Sequence, residues 1–298
     1  MRIGRLLMAW ALGLGMLPAG AETVSQPRGG LTLEAELVTT GADWHAGPVV
    51  LLTHGTLAHR QMEIIVALQE ALAARGISSL APTLSLGQSA RRGMYDCAQP
   101  HRHRHADALD EIGSWLDWLQ ARGAQRLYLF GHSRGGNQAA WFAAERDRPA
   151  LRGSILLAPS TWDAGAEAAA YRKRYGRELA PLLAQASARV AAGAPGELLE
   201  EIDFLYCAQT RASAAAFVGY YADEPRRDTP GLLPRLPKPV LVIAGSADTV
   251  VPGLAQRVGP LADGTRVQFE LVDGADHFFR DLYADDVADL AAGFIQAH

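Results

Sequence analysis

The sequence predicts an α/β fold, a mostly parallel, doubly wound sheet with helices on both faces and a helical cap inserted between two core strands. Three observations carry that expectation. Short runs that are apolar throughout alternate with longer amphipathic stretches. Strands apolar on both faces need cover on both sides, which is the condition of a parallel sheet wrapped by crossover helices. Residues 160–236 then break the rhythm, being rich in Ala, Arg and Glu with no strand-like run. A block of that length is much longer than a plain crossover, so it reads as several helices forming a cap.

The elements follow in order. Leu31 to Thr39 alternates apolar and polar residues and suits an antiparallel strand near the sheet edge. Pro48 to Thr53 (PVVLLT) is a buried strand. Glu63 to Arg75 carries apolar residues at helical spacing and stops at Gly76. Ile77 to Ala81 is a strand, Ala106 to Arg122 a helix stopped by Gly123, and Arg126 to Phe130 (RLYLF) a strand. A helix from Gly135 to Glu145 and a strand from Gly153 to Ala158 precede the cap. After it come the strands Pro239 to Ala244 and Arg266 to Leu271, and a closing helix from Asp285 to Ala297. Trp115 and Trp118, three apart on one helix, read as core packing, as do Tyr220 and Tyr221 in the cap, with a channel lining as the alternative for the tyrosines.

Residues 1–21 read as a secretory signal. Arg2 and Arg5 precede an apolar run from Leu6 to Leu17, Pro18 breaks it, and Ala19-Gly20-Ala21 supplies the small residues a signal peptidase needs. That run is too short for a spanning helix of roughly 20 residues. The expectation is an exported protein, periplasmic or secreted, whose folded domain is residues 22–298, with no stable membrane insertion after cleavage. The chain carries 28 basic and 32 acidic residues, a net charge of −4, which gives no basic footprint for nucleic acid or an anionic membrane. The two cysteines, Cys97 and Cys207, fit no zinc spacing, and export makes a disulfide between them the expectation.

Gly131-His132-Ser133-Arg134-Gly135 matches G-x-S-x-G directly between a strand and a helix. A sharp strand-to-helix turn exposes its central side chain, and the residues two positions away must be small. Ser133 is the candidate nucleophile. A serine hydroxyl needs a base, and the base an orienting acid. Downstream of Ser133 the only histidines are His277, just after the last strand, and the terminal His298, so His277 is the candidate base. Asp248, four residues beyond the strand end at Ala244, is the candidate acid, with Asp273 and Asp276 as rivals in the loop of His277. For a developing oxyanion the expected donors are the main-chain N–H groups of Arg134 and of Thr56, with Leu57 in reserve. His54 reads as a loop hydrogen-bonding group rather than a second base.

Tyr95 to His105 (YDCAQPHRHRH) alternates histidine and arginine. A helix opening at Pro100 would bring only His101 and His105 to one face, with no clustered carboxylate, so a polar surface or hydrogen-bonded loop is expected and no metal. Arg91, Arg92 and Arg134 are weaker candidates for receiving an anionic group on a substrate.

Together PVVLLTHG, GHSRGG, VIAGSAD and GADHFF resemble the α/β-hydrolase superfamily over about residues 45–160 and 237–298, without pointing to a subfamily. The resemblance implies an eight-stranded core, a Ser-Asp-His triad in that chain order and acyl chemistry with no cofactor. Serine at 133 argues against the dehalogenase and epoxide hydrolase branches. The family's first hairpin is not evident before Trp44. The expected reaction is cleavage of a carboxylic ester in a small-molecule acyl substrate through an acyl-enzyme, with a peptidase or amidase, or a non-catalytic binding module on the same scaffold, as alternatives.

Overall fold

The structure, a computed structural model, describes residues 20–146 and 148–298. Most of the predicted signal, residues 1–19, lies outside them. The chain opens on an antiparallel hairpin of β1 (Gly20–Arg28) and β2 (Leu31–Thr39). It continues through β3 (Pro48–Thr53), α1 (Glu63–Ala74), β4 (Ser78–Thr83), α2 (Asp107–Gln120), β5 (Arg126–His132), α3 (Arg134–Glu145) and β6 (Leu151–Leu157). The inserted block holds α4 (Ala164–Tyr175), α5 (Leu179–Ala191), β7 (Leu198–Phe204), β8 (Cys207–Ser213), α6 (Ala214–Tyr221) and α7 (Thr229–Leu232). The core ends with β9 (Val240–Gly245), α8 (Leu254–Val258), β10 (Val267–Val272) and α9 (Leu282–Ala297).

Eight strands form one sheet in the order β1-β2-β4-β3-β5-β6-β9-β10. β2 pairs antiparallel with β1 and β4, and the remaining pairs are parallel. The central strands are apolar throughout because the pleat sends successive residues to two different cores. Val49, Leu51, Leu127, Leu129, Val240 and Val242 join α2 and α3 on one face. Val50, Leu52, Tyr128, Phe130, Leu241 and Ile243 join α1 and α9 on the other. Trp115 and Trp118 are buried in the first of these cores, as their spacing predicts.

Two expectations are corrected. The hairpin not evident before Trp44 is present. β1 is an edge strand, mostly exposed and polar, so it carries no apolar signal; its mark is the two-residue Gly29-Gly30 turn, where both φ values are positive. β1 also begins at Gly20, inside the segment expected to be removed, so cleavage after Ala21 would trim the strand's first two residues. The second correction concerns the cap, which is not purely helical. β7 and β8 pair antiparallel within it. β8 (CAQTRAS) has little intrinsic strand preference. It is held by tertiary partners: His101 donates its N–H to Arg211 O at 2.8 Å, Ser213 donates to His101 O at 2.9 Å, and Cys207 forms a disulfide with Cys97. The cap has its own core, in which Tyr171, Phe204, Phe217, Tyr220 and Tyr221 pack on Leu57 and Tyr95 of the sheet loops.

Candidate active site

The site lies at the carboxyl edge of the parallel strands, where an open α/β sheet leaves its crevice. β5 ends at His132, and Ser133 turns the chain into α3 with φ 56° and ψ −122°. A non-glycine residue in that region stores about 1–3 kcal/mol of strain. Close packing holds it there: a Cβ on Gly131 would fall 2.6 Å from Gly136 Cα, and one on Gly135 2.6 Å from Thr53 O. The predicted need for small residues on either side of Ser133 is therefore met in the geometry. Ser133 N donates to Leu157 O of the neighbouring strand at 2.9 Å, which ties the turn to the sheet.

Asp248 and His277 come from the loops after β9 and β10. His277 Nδ1 donates to Asp248 Oδ2 at 2.8 Å, and both side chains are buried. Asp248 Oδ1 accepts from the amides of Val250 at 2.7 Å and Val251 at 3.0 Å. Burial is the largest effect on this carboxyl and pushes its pKa up. The hydrogen bonds from His277, Val251 and Val250 outweigh it and hold the group below its ordinary value, so it is ionised at neutral pH. The rivals are occupied elsewhere: Asp273 accepts from Ser246 Oγ at 2.9 Å, and Asp276 from the Phe278 amide at 2.8 Å. No hydrogen bond joins Ser133 Oγ to the His277 ring among the described residues. Both residues instead front one cavity of about 330 Å³, shared with Gly55 and Thr56.

The loop after β3 approaches the serine closely, since a Cβ on Gly55 would lie 3.2 Å from Ser133 Cβ. Thr56 follows, and Leu57 has φ 58°. The Arg134 side chain returns to this loop: its Nε donates to Thr56 Oγ1 at 2.8 Å and its Nη1 approaches His105 Nδ1 at 3.2 Å. His54 lines the cavity but is spent on structure. Its Nε2 accepts from Leu84 N at 3.0 Å and its Nδ1 lies 2.9 Å from Gly55 O, which fits the Nδ1–H tautomer. Burial, reinforced by Arg91, depresses its pKa to about 3, so it is neutral at pH 7.

The histidine-rich segment differs from its expected place. It is extended ahead of α2, and His101, His103 and His105 are all buried rather than at a polar surface. All but one of their ring nitrogens lie within hydrogen-bonding reach of protein groups; His101 Nε2 has no partner among the described residues. His101 Nδ1 lies 3.2 Å from His103 Nε2, His103 Nδ1 2.8 Å from Tyr220 Oη, and His105 Nε2 2.9 Å from Asn137 Oδ1. Burial brings the His101 pKa down to about 4 and those of His103 and His105 well below the ordinary value. The loop is hydrogen-bonded, as expected, but beneath the cap, because the cap hairpin adds to its edge. Tyr220 and Tyr221 are buried in the cap core and serve packing and hydrogen bonding.

The arginines expected to receive an anion do not face the cavity. Arg91 is buried and donates to Leu84 O, Gly93 O and Ala58 O. Arg92 pairs with Glu34, and Arg134 is committed to Thr56 and His105. Among the residues at the site that the sequence left unassigned, four stand out. His132 donates from Nε2 to the main-chain carbonyl of His277 at 2.8 Å, joining the β5 turn to the β10 loop. Met94, Tyr206 and Val250 line the cavity mouth. His132 stands inside the G-x-S-x-G motif, which is the signal that could have found it. The other three have no local signal.

Residues 49–290 match the family model described as alpha/beta hydrolase family. Among solved structures, the chain is similar to Est1E from Butyrivibrio proteoclasticus, at 19% identity over 92% of this chain and 98% of that one, with a TM-score of 0.62. The same protein with ferulic acid bound superposes at a TM-score of 0.66, again at 19% identity over 92% and 98% of the two chains. The esterase domain of a Rhodothermus marinus protein is 16% identical over 93% of this chain and 98% of that domain, with a TM-score of 0.59. Identities this low carry the fold alone. No curated protein matches the chain in sequence.

Proposed function

We infer the reaction from one premise: the chain belongs to the alpha/beta hydrolase family. As a hydrolase with this site, it is read as a serine esterase that cleaves a carboxylic ester through an acyl-enzyme. The observation that carries the reading is the buried Asp248–His277 pair opening on the same cavity as Ser133 at its strained turn. The ester, rather than an amide, is taken from a neighbour of the same fold named as an esterase domain.

In this reading His277 Nε2 takes the Ser133 proton as Oγ attacks the ester carbonyl carbon. That link forms in the substrate complex, since catalytic hydrogen bonds tighten when substrate binds. The carbonyl electron pair moves to oxygen, where the amides of Arg134 and Thr56 donate to it. The tetrahedral adduct collapses, the C–O bond to the alcohol breaks, and His277 returns the proton to the leaving oxygen. Water, deprotonated by the same imidazole, attacks the acyl-enzyme, and its collapse releases the acid and restores Ser133. Asp248 holds the Nδ1–H tautomer and offsets the charge on the imidazolium. Residues 1–21 are read as an export signal; the disulfide is compatible with an oxidising compartment, and no helix among the described residues is long and apolar enough to cross a membrane.

The test is fluorophosphonate labelling together with ester turnover. Wild type is expected to label at Ser133 and to hydrolyse p-nitrophenyl esters. Ser133→Ala is expected to abolish labelling and lower kcat by about 10⁴-fold or more, and Asp248→Asn to lower kcat by about 10⁴-fold. A folded wild-type protein that neither labels nor turns over any ester or peptide would instead be a binding module.

A further inference from the structure

Three of the seven large exposed apolar residues among the described residues rim one opening: Met94 at 54% exposure, Tyr206 at 55% and Val250 at 48%. Behind them Met62, Ile64 and Ile65 make the cavity wall predominantly apolar, and among the described residues no Lys, Arg, Asp or Glu side chain lines it. Scattered exposed hydrophobes need no explanation, but three gathered at the mouth of a cavity that contains Ser133 imply a group that covers them.

The rim is held in place rather than loose. Tyr206 sits in the β7–β8 turn, where Leu205 N donates to Tyr221 Oη at 2.8 Å and Leu205 O accepts from Tyr175 Oη at 2.5 Å and Arg174 Nη1 at 3.0 Å. Met94 lies between two anchored residues: Gly93 O accepts from Arg91 at 2.7 Å, and Tyr95 N donates to Leu57 O at 3.0 Å. The disulfide joins the two walls, since Cys97 follows Met94 by three residues and Cys207 follows Tyr206 directly. Thr210 Oγ1 adds a hydrogen bond to Cys97 O at 2.7 Å. Val250 is fixed by the hydrogen bond that its amide donates to Asp248 Oδ1.

We propose that this cross-linked rim is the selectivity element of the site, and that it takes an uncharged ester whose apolar acyl chain reaches from Ser133 to lie against Met94 and Tyr206. The proposal rests on the esterase reading and adds the substrate class. Ordering an exposed aromatic and a thioether beside a cavity without charged lining favours an alkyl or aryl acyl group. It disfavours a chain ending in a carboxylate, which would lose its hydration with nothing to receive it. The disulfide, with the Thr210–Cys97 hydrogen bond beside it, limits how far the cap turn can move from the Met94 segment and so how wide the mouth can open.

The experiment uses the oxidised mature protein with p-nitrophenyl acetate, butanoate and hexanoate, and a mono-ester of adipic acid as the charged match to hexanoate. Each added methylene is expected to raise kcat/KM by about fourfold until the cavity is filled, ~0.8 kcal/mol per group. The adipate mono-ester is expected to fall at least about 100-fold below hexanoate. Tyr206→Ala and Met94→Ala are each expected to lower the hexanoate-to-acetate ratio of kcat/KM by about tenfold, while Tyr206→Phe keeps it. Reduction of the disulfide is expected to lower the same ratio. A flat chain-length profile, or variants that leave the ratio unchanged, in protein that still labels with fluorophosphonate would overturn the proposal and leave the esterase reading standing. Absence of labelling and of turnover would remove both.

Discussion

Arg134 reaches back from the first turn of α3 to the loop whose Thr56 amide is assigned to the oxyanion. Its guanidinium donates to the Thr56 hydroxyl and rests beside His105 and the Tyr220 ring, 5.2 Å from the ring centroid. The side chain therefore positions the loop and does not meet substrate. Arg134→Met is expected to lower kcat about tenfold, ~1.4 kcal/mol, with KM within about twofold. Thr56→Val should cost a similar amount, and the double variant little more than either, because both remove one contact. Fully additive losses in kcat would show that the two residues act separately. The residues of the site were legible to unequal degrees. Ser133, His277 and Asp248 could be picked out as candidates because the chemistry restricts residue type and the fold restricts chain order; the structure pairs the last two and brings His277 and Ser133 to one cavity. The direction of the Arg134 side chain was not legible, since a flexible cation reads the same whether it faces substrate or a neighbouring hydroxyl.

The strands that build the sheet centre were plain from their composition because each is covered twice. The elements that escaped were those stabilised by a partner far away in sequence. β1 is a polar edge strand defined by its pairing with β2. β8 is a strand because β7, the His101 segment and the Cys97–Cys207 bond hold it extended. The disulfide spans 110 residues with a Cα–Cα distance of 5.4 Å, a separation for which chain entropy suggests roughly 4–5 kcal/mol. The Thr210 and His101 hydrogen bonds keep part of this contact when the bond is cut. Cys97→Ser/Cys207→Ser is expected to lower unfolding free energy by about 2–4 kcal/mol in urea titrations under oxidising conditions. A midpoint unmoved from wild type would mean that the cap is tethered without it.

Across the whole molecule the buried histidines set a pH dependence. Burial depresses the pKa to about 3 for His54, about 4 for His101 and about 4 for His132, where the charge of His277 adds to it. The same cause lowers His103 and His105. Unfolded, these groups titrate near the ordinary 6.5. Between about pH 6.5 and pH 4 the unfolded chain therefore binds more protons than the folded one, and stability rises with pH across that window. It is fully present above about 6.5 and is lost on acidification, each such group adding up to about 1.4 kcal/mol per pH unit. Urea midpoints should hold between pH 7.5 and about pH 6.5 and fall from there to pH 5; a profile flat down to pH 5 would mean that the histidines are solvated in the folded state. By itself the sequence determined the sheet class, the candidates for nucleophile, acid and base, and the cysteine pair, because periodicity and reaction chemistry are properties of local residue types. Only the tertiary structure decided that the histidine segment lies beneath the cap, that the cap carries a hairpin, and that Met94, Tyr206 and Val250 meet at one opening. Those outcomes bring to one place residues as much as 156 positions apart. Burial and pairing over such separations are created by folding, so no short stretch of the chain encodes them.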